Sequence, residues 1–221
     1  PSSEVSKKLQ TEAASFTMIC NAATSVLMQT GRAVVSDPYG TVTKNVRLIF
    51  DSGSQRSFIS NTLKSALGLE NIGKRTLRLS RFMDSEISEA SPVVHDCDIV
   101  QFRVQGLFSP DLIVTACSVP QICPKPNSQT LQFCKQNFEH LSNLSLADEH
   151  LEFSFRGDSI DILIGLDFYW EFMLGGIKRG PSGPVALESR LGWILSGPLV
   201  SQEQAEDITP HTLLLLQDEE D

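Results

Sequence analysis

Long apolar runs are missing from this sequence: its one leucine tract, Leu213-Leu214-Leu215-Leu216, is four residues long. A helix needs about 20 apolar residues to cross a bilayer, so no membrane partner is expected. Clusters of Lys and Arg are missing too, and the net charge is −9. Neutralising phosphates takes clustered cations, so this domain is not expected to bind nucleic acid. The five cysteines, Cys20, Cys97, Cys117, Cys123 and Cys134, are odd in number and contain no CxxC pair. That fits a reducing compartment, and hence a cytoplasmic location, better than a disulfide framework. The spacings of Cys117, Cys123, Cys134 and His140 match no common zinc site, so neither a metal nor a cofactor is expected. His95, His140, His150 and His211 stand apart from any Ser or Cys in a recognised nucleophile setting, which leaves a His-based hydrolase little support. No signal peptide is apparent. The sequence begins at Pro1 rather than Met, giving the expectation that it is a piece of a longer polypeptide.

What is present suits one soluble domain with tails: 221 residues, 41% of them hydrophobic, can bury a substantial core. The most informative stretch is Val46-Arg47-Leu48-Ile49-Phe50-Asp51-Ser52-Gly53-Ser54. An apolar strand carries Asp51 out of a core to a sharp turn, Gly53 permits the tight backbone, and Ser52 and Ser54 offer hydroxyls to hold the carboxylate. A carboxylate fixed in this way is a candidate acid/base. The tripeptide alone is weak, since an Asp-[Ser/Thr]-Gly arises by chance in roughly one chain in ten of this length. Its context is a second apolar strand, Ile160-Asp161-Ile162-Leu163-Ile164, that ends in Gly165 and passes through Leu166-Asp167-Phe168-Tyr169-Trp170 into a helix.

Between and around these motifs the pattern is mostly that of strands. Val26 to Val35 and Thr41 to Phe50 flank the turn residues Ser36-Asp37-Pro38-Tyr39-Gly40 and predict a β-hairpin. Ser60 is placed to N-cap a short helix through Leu63, Ala66 and Leu67, with Gly68 to end it. Thr76 to Ser80 and Asp98 to Val104 alternate with period two, as the arms of a longer hairpin. Leu112 to Ala116 is a further buried strand, closed by Pro120, Pro124 and Pro126. From Ser128 to about Ala147 the apolar spacing turns helical, which marks a helical insertion at about 124–150. Arg190 to Ser196 is the last strand. Residues 1–20 read as a linker, 21–200 as one domain, and 201–221, ending Asp218-Glu219-Glu220-Asp221, as an acidic tail or linker.

The pair of motifs resembles a retropepsin, the dimeric aspartic protease of retroviruses and retrotransposons, in which a strand-Asp-[Ser/Thr]-Gly loop is followed by an apolar-apolar-Gly strand and a helix. Val26-Leu27-Met28-Gln29-Thr30, Ser57-Phe58-Ile59-Ser60 and Ser189-Arg190-Leu191-Gly192-Trp193-Ile194-Leu195-Ser196-Gly197-Pro198 look like the Pao/BEL class in particular. The resemblance implies an all-β, retropepsin-like barrel with short helices, working as a two-fold homodimeric aspartic endopeptidase on a Gag-Pol polyprotein. It places Asp51, Ser52, Gly53 and Ser54 in the catalytic loop, Ser52 bonding across the dimer and Ser54 bonding the outer carboxylate oxygen. Gln55 and Arg56 would line the floor of the substrate groove, and Phe82, Met83, Asp84 and Ser85 the flap over it. One departure stands out: retropepsin flap tips are usually glycine-rich, and no Gly occurs between Gly73 and Gly106.

Hydrolysis by paired carboxylates needs two aspartates that share a proton, and this sequence has one Asp-Ser-Gly. Asp167 lacks the hydroxyl and glycine of such a turn and is read as an N-cap, while Asp84 and Asp161 have no supporting loop. Two copies must therefore each supply Asp51. The resemblance places the terminal strand, Leu191 to Leu195, at the dimer contact, with Leu191, Trp193 and Leu195 alternating onto one face. The alternative is a non-catalytic or host-adopted β module that keeps the fold for dimerisation or peptide binding.

Overall fold

The structure, a computed structural model, describes residues 26–79, 93–107, 109–123, 130–149, 157 and 159–199. Both tails and the expected flap residues Phe82, Met83, Asp84 and Ser85 lie outside them. After a two-residue strand β1 (Val26–Leu27), β2 (Thr30–Ser36) and β3 (Thr43–Phe50) form the first hairpin, in register from Thr30 opposite Ile49 to Ser36 opposite Thr43. At its turn the Asp37 carboxylate accepts the backbone N–H groups of Tyr39 and Val42. A short strand β4 (Phe58–Ser60) leads into helix α1 (Asn61–Ala66), whose N-cap is Ser60, the hydroxyl accepting the Leu63 N–H at 3.1 Å. The helix ends at Leu67 with Gly68 at φ 63°, a backbone conformation that suits glycine.

Next come β5 (Gly73–Leu79), β6 (Val93–Val104) and β7 (Leu112–Val119). β6 pairs with β5 through its first half, Val93 to Ile99, and with β7 through its second, Ile99 to Val104. Helix α2 (Thr130–Asn137) and a 3-10 turn at Glu139–Leu141 precede β8 (Ile160–Ile164) and helix α3 (Leu166–Phe172). The described residues end with β9 (Met173–Lys178), β10 (Val185–Ser189) and β11 (Gly192–Pro198).

Six strands close a barrel in the order β2-β3-β8-β4-β7-β6, β6 returning to β2 through Val35 opposite Val104, with β5 laid against the outside of β6. Two neighbours run parallel, β3 with β8 and β4 with β7. The runs Val46 to Phe50 and Ile160 to Ile164 sit side by side in the parallel pair and are buried almost throughout, as strands covered on both faces require. Val46, Leu48, Phe50, Ile59, Leu63, Phe102, Ile162, Ile164 and Phe172 fill one core. A second, antiparallel sheet, β1-β11-β10-β9, packs beside it. There Ala186 and Leu195 join Cys134, Leu141, Leu144 and Leu146 in a separate apolar cluster that the α2 segment covers. This is the all-β, retropepsin-like barrel with short helices. No helix among the described residues is long and apolar enough to cross a membrane.

One expectation changes. Leu191 and Leu195, expected at a dimer contact, are buried inside the chain itself, one in each cluster; Leu191 directly precedes β11, and Leu195 lies on it as the second strand of its own sheet rather than an edge. Arg47, which interrupts the apolar strand β3, is buried. Its guanidinium bonds the Asp148 carboxylate, which also takes Thr30 Oγ1 at 2.9 Å and lies 3.2 Å from Arg32 Nε.

Candidate active site

β3 delivers Asp51 to the end of the barrel where β8 also finishes. Both strands are pulled to one place by their parallel register, Phe50 opposite Ile164. The Asp51 N–H continues the ladder by donating to Ile164 O at 2.9 Å. The chain then turns: Ser54 N donates to Asp51 O at 3.2 Å, and Gly53 N donates to Asp51 Oδ1 at 2.9 Å. Asp51 is exposed, so its carboxylate is oriented by its own loop and open to solvent.

The residues behind the loop are tied to the second motif. Leu166 N donates to Ser54 O at 2.7 Å, and Ser57 Oγ accepts the Gly165 N–H at 3.0 Å. Ser57 in turn donates twice to Asp167, from its hydroxyl at 2.7 Å and its backbone N–H at 3.1 Å. Asp167 therefore does not cap its own helix. The N-cap position is Gly165, without a side-chain cap bond, and the carboxylate that suits a helix N-terminus is spent on the neighbouring loop. Gly165 is required by close approach: a Cβ there would lie 2.2 Å from Arg56 O.

Aromatic packing braces the strand from behind. Phe50 meets Phe172 and Tyr169 edge-on, with ring centroids 5.4 and 6.3 Å apart. Gln29 joins the pieces, accepting the Phe50 N–H on its backbone oxygen and the Tyr169 hydroxyl on its side chain, each at 2.8 Å. Burial raises the Tyr169 phenol above its ordinary value, against the smaller opposing effect of the Gln29 bond, so this hydroxyl stays protonated and keeps donating.

Of the residues singled out in the sequence, Asp51, Ser52, Gly53, Ser54, Gln55 and Arg56 form one continuous loop. Asp51, Ser52 and Gln55 are exposed and Arg56 is half-buried. Ser54 is placed differently from expectation: it is buried, and its hydroxyl donates to Arg56 O at 2.9 Å, closing the loop on itself instead of reaching the carboxylate. Phe82, Met83, Asp84 and Ser85 lie outside the described residues. Ser57, Gln29 and Asp167 in its observed role were not identified from the sequence as site residues. Ser57 and Gln29 stood out only as members of the stretches that carry the resemblance, and Asp167 only as a helix cap.

Among the carboxylates of the two motifs that lie in the described residues, Asp51 alone is open to solvent on an Asp-Ser-Gly loop. Asp167 has both oxygens engaged by Ser57, and Asp161 is buried with Oδ1 accepting the Ser60 hydroxyl at 2.8 Å. Among the described residues no group of three or more His, Cys, Asp and Glu is arranged to hold a metal ion. In comparisons with known proteins, a family model described as "Putative peptidase (DUF1758)" matches residues 33–208. No curated protein and no solved structure matches the chain.

Proposed function

The chain belongs to this DUF1758 peptidase family, and on that premise we propose that it is an aspartic endopeptidase whose dyad is formed by Asp51 from each of two copies. The observation that carries the reading is the oriented, solvent-open Asp51 on a loop pinned to the β8–α3 junction. In the reaction one carboxylate accepts a proton from water as the water oxygen bonds to the peptide carbonyl carbon. The partner carboxyl protonates the carbonyl oxygen. Collapse of the tetrahedral species breaks the C–N bond: the proton taken from water goes to the departing nitrogen, and a hydroxyl on the tetrahedral carbon returns its proton to the partner carboxylate as the new carbonyl forms.

Ser52 fits a bond across the two-fold axis, and Gly53 holds Asp51 through its N–H. The exposed Gln55 and half-buried Arg56 fit the floor of a groove that takes an extended peptide by strand-like hydrogen bonds. Phe82, Met83, Asp84 and Ser85 are assigned to the flap on sequence position, between the arms β5 and β6. The substrate we assign is the Gag-Pol polyprotein of a Pao/BEL-type retrotransposon. Processing takes place in the cytoplasm, with 1–20 as an upstream linker, 21–200 as the protease domain and 201–221 as an acidic tail.

The test is Asp51→Asn, in which an amide keeps the shape and cannot exchange the proton. Cleavage of a peptide pool is expected to vanish while the circular dichroism spectrum is unchanged. Undiminished cleavage by the folded variant would end the aspartic reading.

A further inference from the structure

Helix α3 has seven residues, about 10 Å of helix, too few to be stable in water alone, so its neighbours must fix where it lies. Its first turn belongs to the acid loop, through Leu166 N on Ser54 O and Asp167 on Ser57. Its last turn has no support of its own. It carries no basic residue and includes Glu171, a charge of the wrong sign where helix carbonyls point outward. The final two carbonyls are met instead by one distant residue. Arg190 donates its backbone N–H to Phe172 O at 2.9 Å and its Nε to Glu171 O at 2.5 Å.

The sequence around Arg190 presents it for this contact. Arg190 stands in the turn between β10 and β11, which the buried Ser189 hydroxyl closes by donating to Gly192 O at 2.7 Å and accepting the Leu191 N–H at 3.1 Å. From there it also holds the β6–β7 connection. Its carbonyl accepts the Leu107 N–H at 2.9 Å, and its Nη1 donates to Pro110 O at 3.4 Å. A guanidinium fork can thus serve two elements at once, whereas a lysine ammonium brings the charge on a single atom.

We propose that Arg190 is a positioning residue for the acid loop: by clasping the last turn of α3 it fixes the first turn, and with it the setting of Asp51. The inference rests on the reading of Asp51 as the catalytic carboxylate. Two routes join the clasp to that carboxylate. One runs along the helix to Leu166 and Ser54 O. The other crosses from Phe172, whose carbonyl Arg190 holds, to the Phe50 ring 5.4 Å away, and Asp51 is the next residue in the chain.

The test compares Arg190→Ala and Arg190→Lys with Lys64→Ala, which breaks a remote ion pair to Asp98 between α1 and β6. Amide hydrogen exchange and the cleavage kinetics of one peptide are measured on each 221-residue chain. In Arg190→Ala the Gly165 and Leu166 amides, at the opposite end of α3, should exchange at least about tenfold faster while the amides of β2 keep their rates. Its kcat should fall at least about tenfold with KM within about twofold. Arg190→Lys should recover part of both, and Lys64→Ala should change neither. If the faster exchange stops at Phe172 and Met173, or extends equally to β2, Arg190 serves the helix end or the fold at large and the proposal is overturned. An unchanged kcat overturns it as well. Should Arg190→Ala fail to fold, Arg190→Lys decides by the same two measurements, with smaller shifts in the same direction expected and none overturning the proposal. Asp51→Asn separates the two readings. If it abolishes cleavage while Arg190→Ala keeps its kcat, the positioning role fails and the aspartic reading stands. If Asp51→Asn still cleaves, the aspartic reading fails, and with it the role of Arg190 in setting a catalytic Asp51.

Discussion

Ser57 is the residue on which the site's geometry converges. Its hydroxyl accepts the Gly165 N–H and donates to Asp167, which its backbone N–H also reaches, so one residue sets the distance between the Asp51 loop and the β8–α3 junction. It is distant in role from the reacting atoms, which makes it a positioning residue. Removing its hydroxyl leaves the buried Gly165 N–H unpaired and lets the loop shift. A displacement of about 1 Å at a reacting group costs on the order of 100-fold in rate. Ser57→Ala is therefore expected to lower kcat by roughly that factor with a small change in KM, and Ser57→Thr to restore most of it. A variant that merely loosened the fold would lose melting temperature and fail to show the kcat-against-KM split. Equal kcat for Ser57→Ala and the unsubstituted chain would remove the positioning role. Asp51 was legible in the sequence because its signal is local: an apolar strand, an acid, a small hydroxyl, a glycine. The destination of the Ser54 hydroxyl was not, since Asp51 and Arg56 both lie two or three residues away and only the folded turn selects between them. The Arg47–Asp148 pair was hidden for the opposite reason, its partners being 101 positions apart in sequence.

At the level of elements, the junction between β8 and α3 is as demanding as the acid loop. Gly165 passes so close to Arg56 that an added methyl would sit 2.2, 2.4 and 2.9 Å from three of its backbone atoms, and backbone cannot swing aside as a side chain can. Gly165→Ala should push the two motifs apart. The expected outcome is a loss of about 1–3 kcal/mol or more in urea unfolding, as overpacked positions show, together with loss of cleavage. Unchanged stability and activity would mean that the approach relaxes without consequence. Strands and short helices were readable where period and caps agree: Ser60 before Leu63 and Gly68 after Leu67 bracket α1, and the alternation of Thr76 to Ser80 marks β5. The division of labour along β6 was not readable, since a strand that pairs with β5 by one half and β7 by the other carries the same alternation in both. Nor could alternation tell that Leu191 and Leu195 belong to two different clusters inside one chain. A strand buried in its own fold and one buried by a second copy require the same residues.

For the whole molecule, acid acts on activity and stability in opposite directions, and the window between them is a prediction. Two carboxylates brought together across an axis cannot both ionise easily, so the proposed dyad would share one proton and cleavage should increase as pH falls from neutrality. The fold responds the other way. Backbone N–H groups, first that of Val42, hold the Asp37 carboxyl below the ordinary carboxylate range, and the hydrogen bond from Lys64, 2.5 Å away, does the same for Asp98. A group depressed in the folded state adds stability above its unfolded value, about 3.9 for Asp, and that contribution is lost as pH falls through the lower folded value. Stability should be nearly flat from neutrality to about pH 5 and decline below about pH 4. Cleavage should accordingly be bell-shaped with an acidic optimum, its lower limb set partly by unfolding. Urea unfolding and initial cleavage rates measured over one pH series separate the two limbs, and Asp37→Asn should make the acid decline in stability shallower. Stability that stays level through pH 3, or cleavage that is greatest above neutrality, would contradict this balance. The second result would also argue against a proton-sharing pair of Asp51 side chains as the catalytic centre.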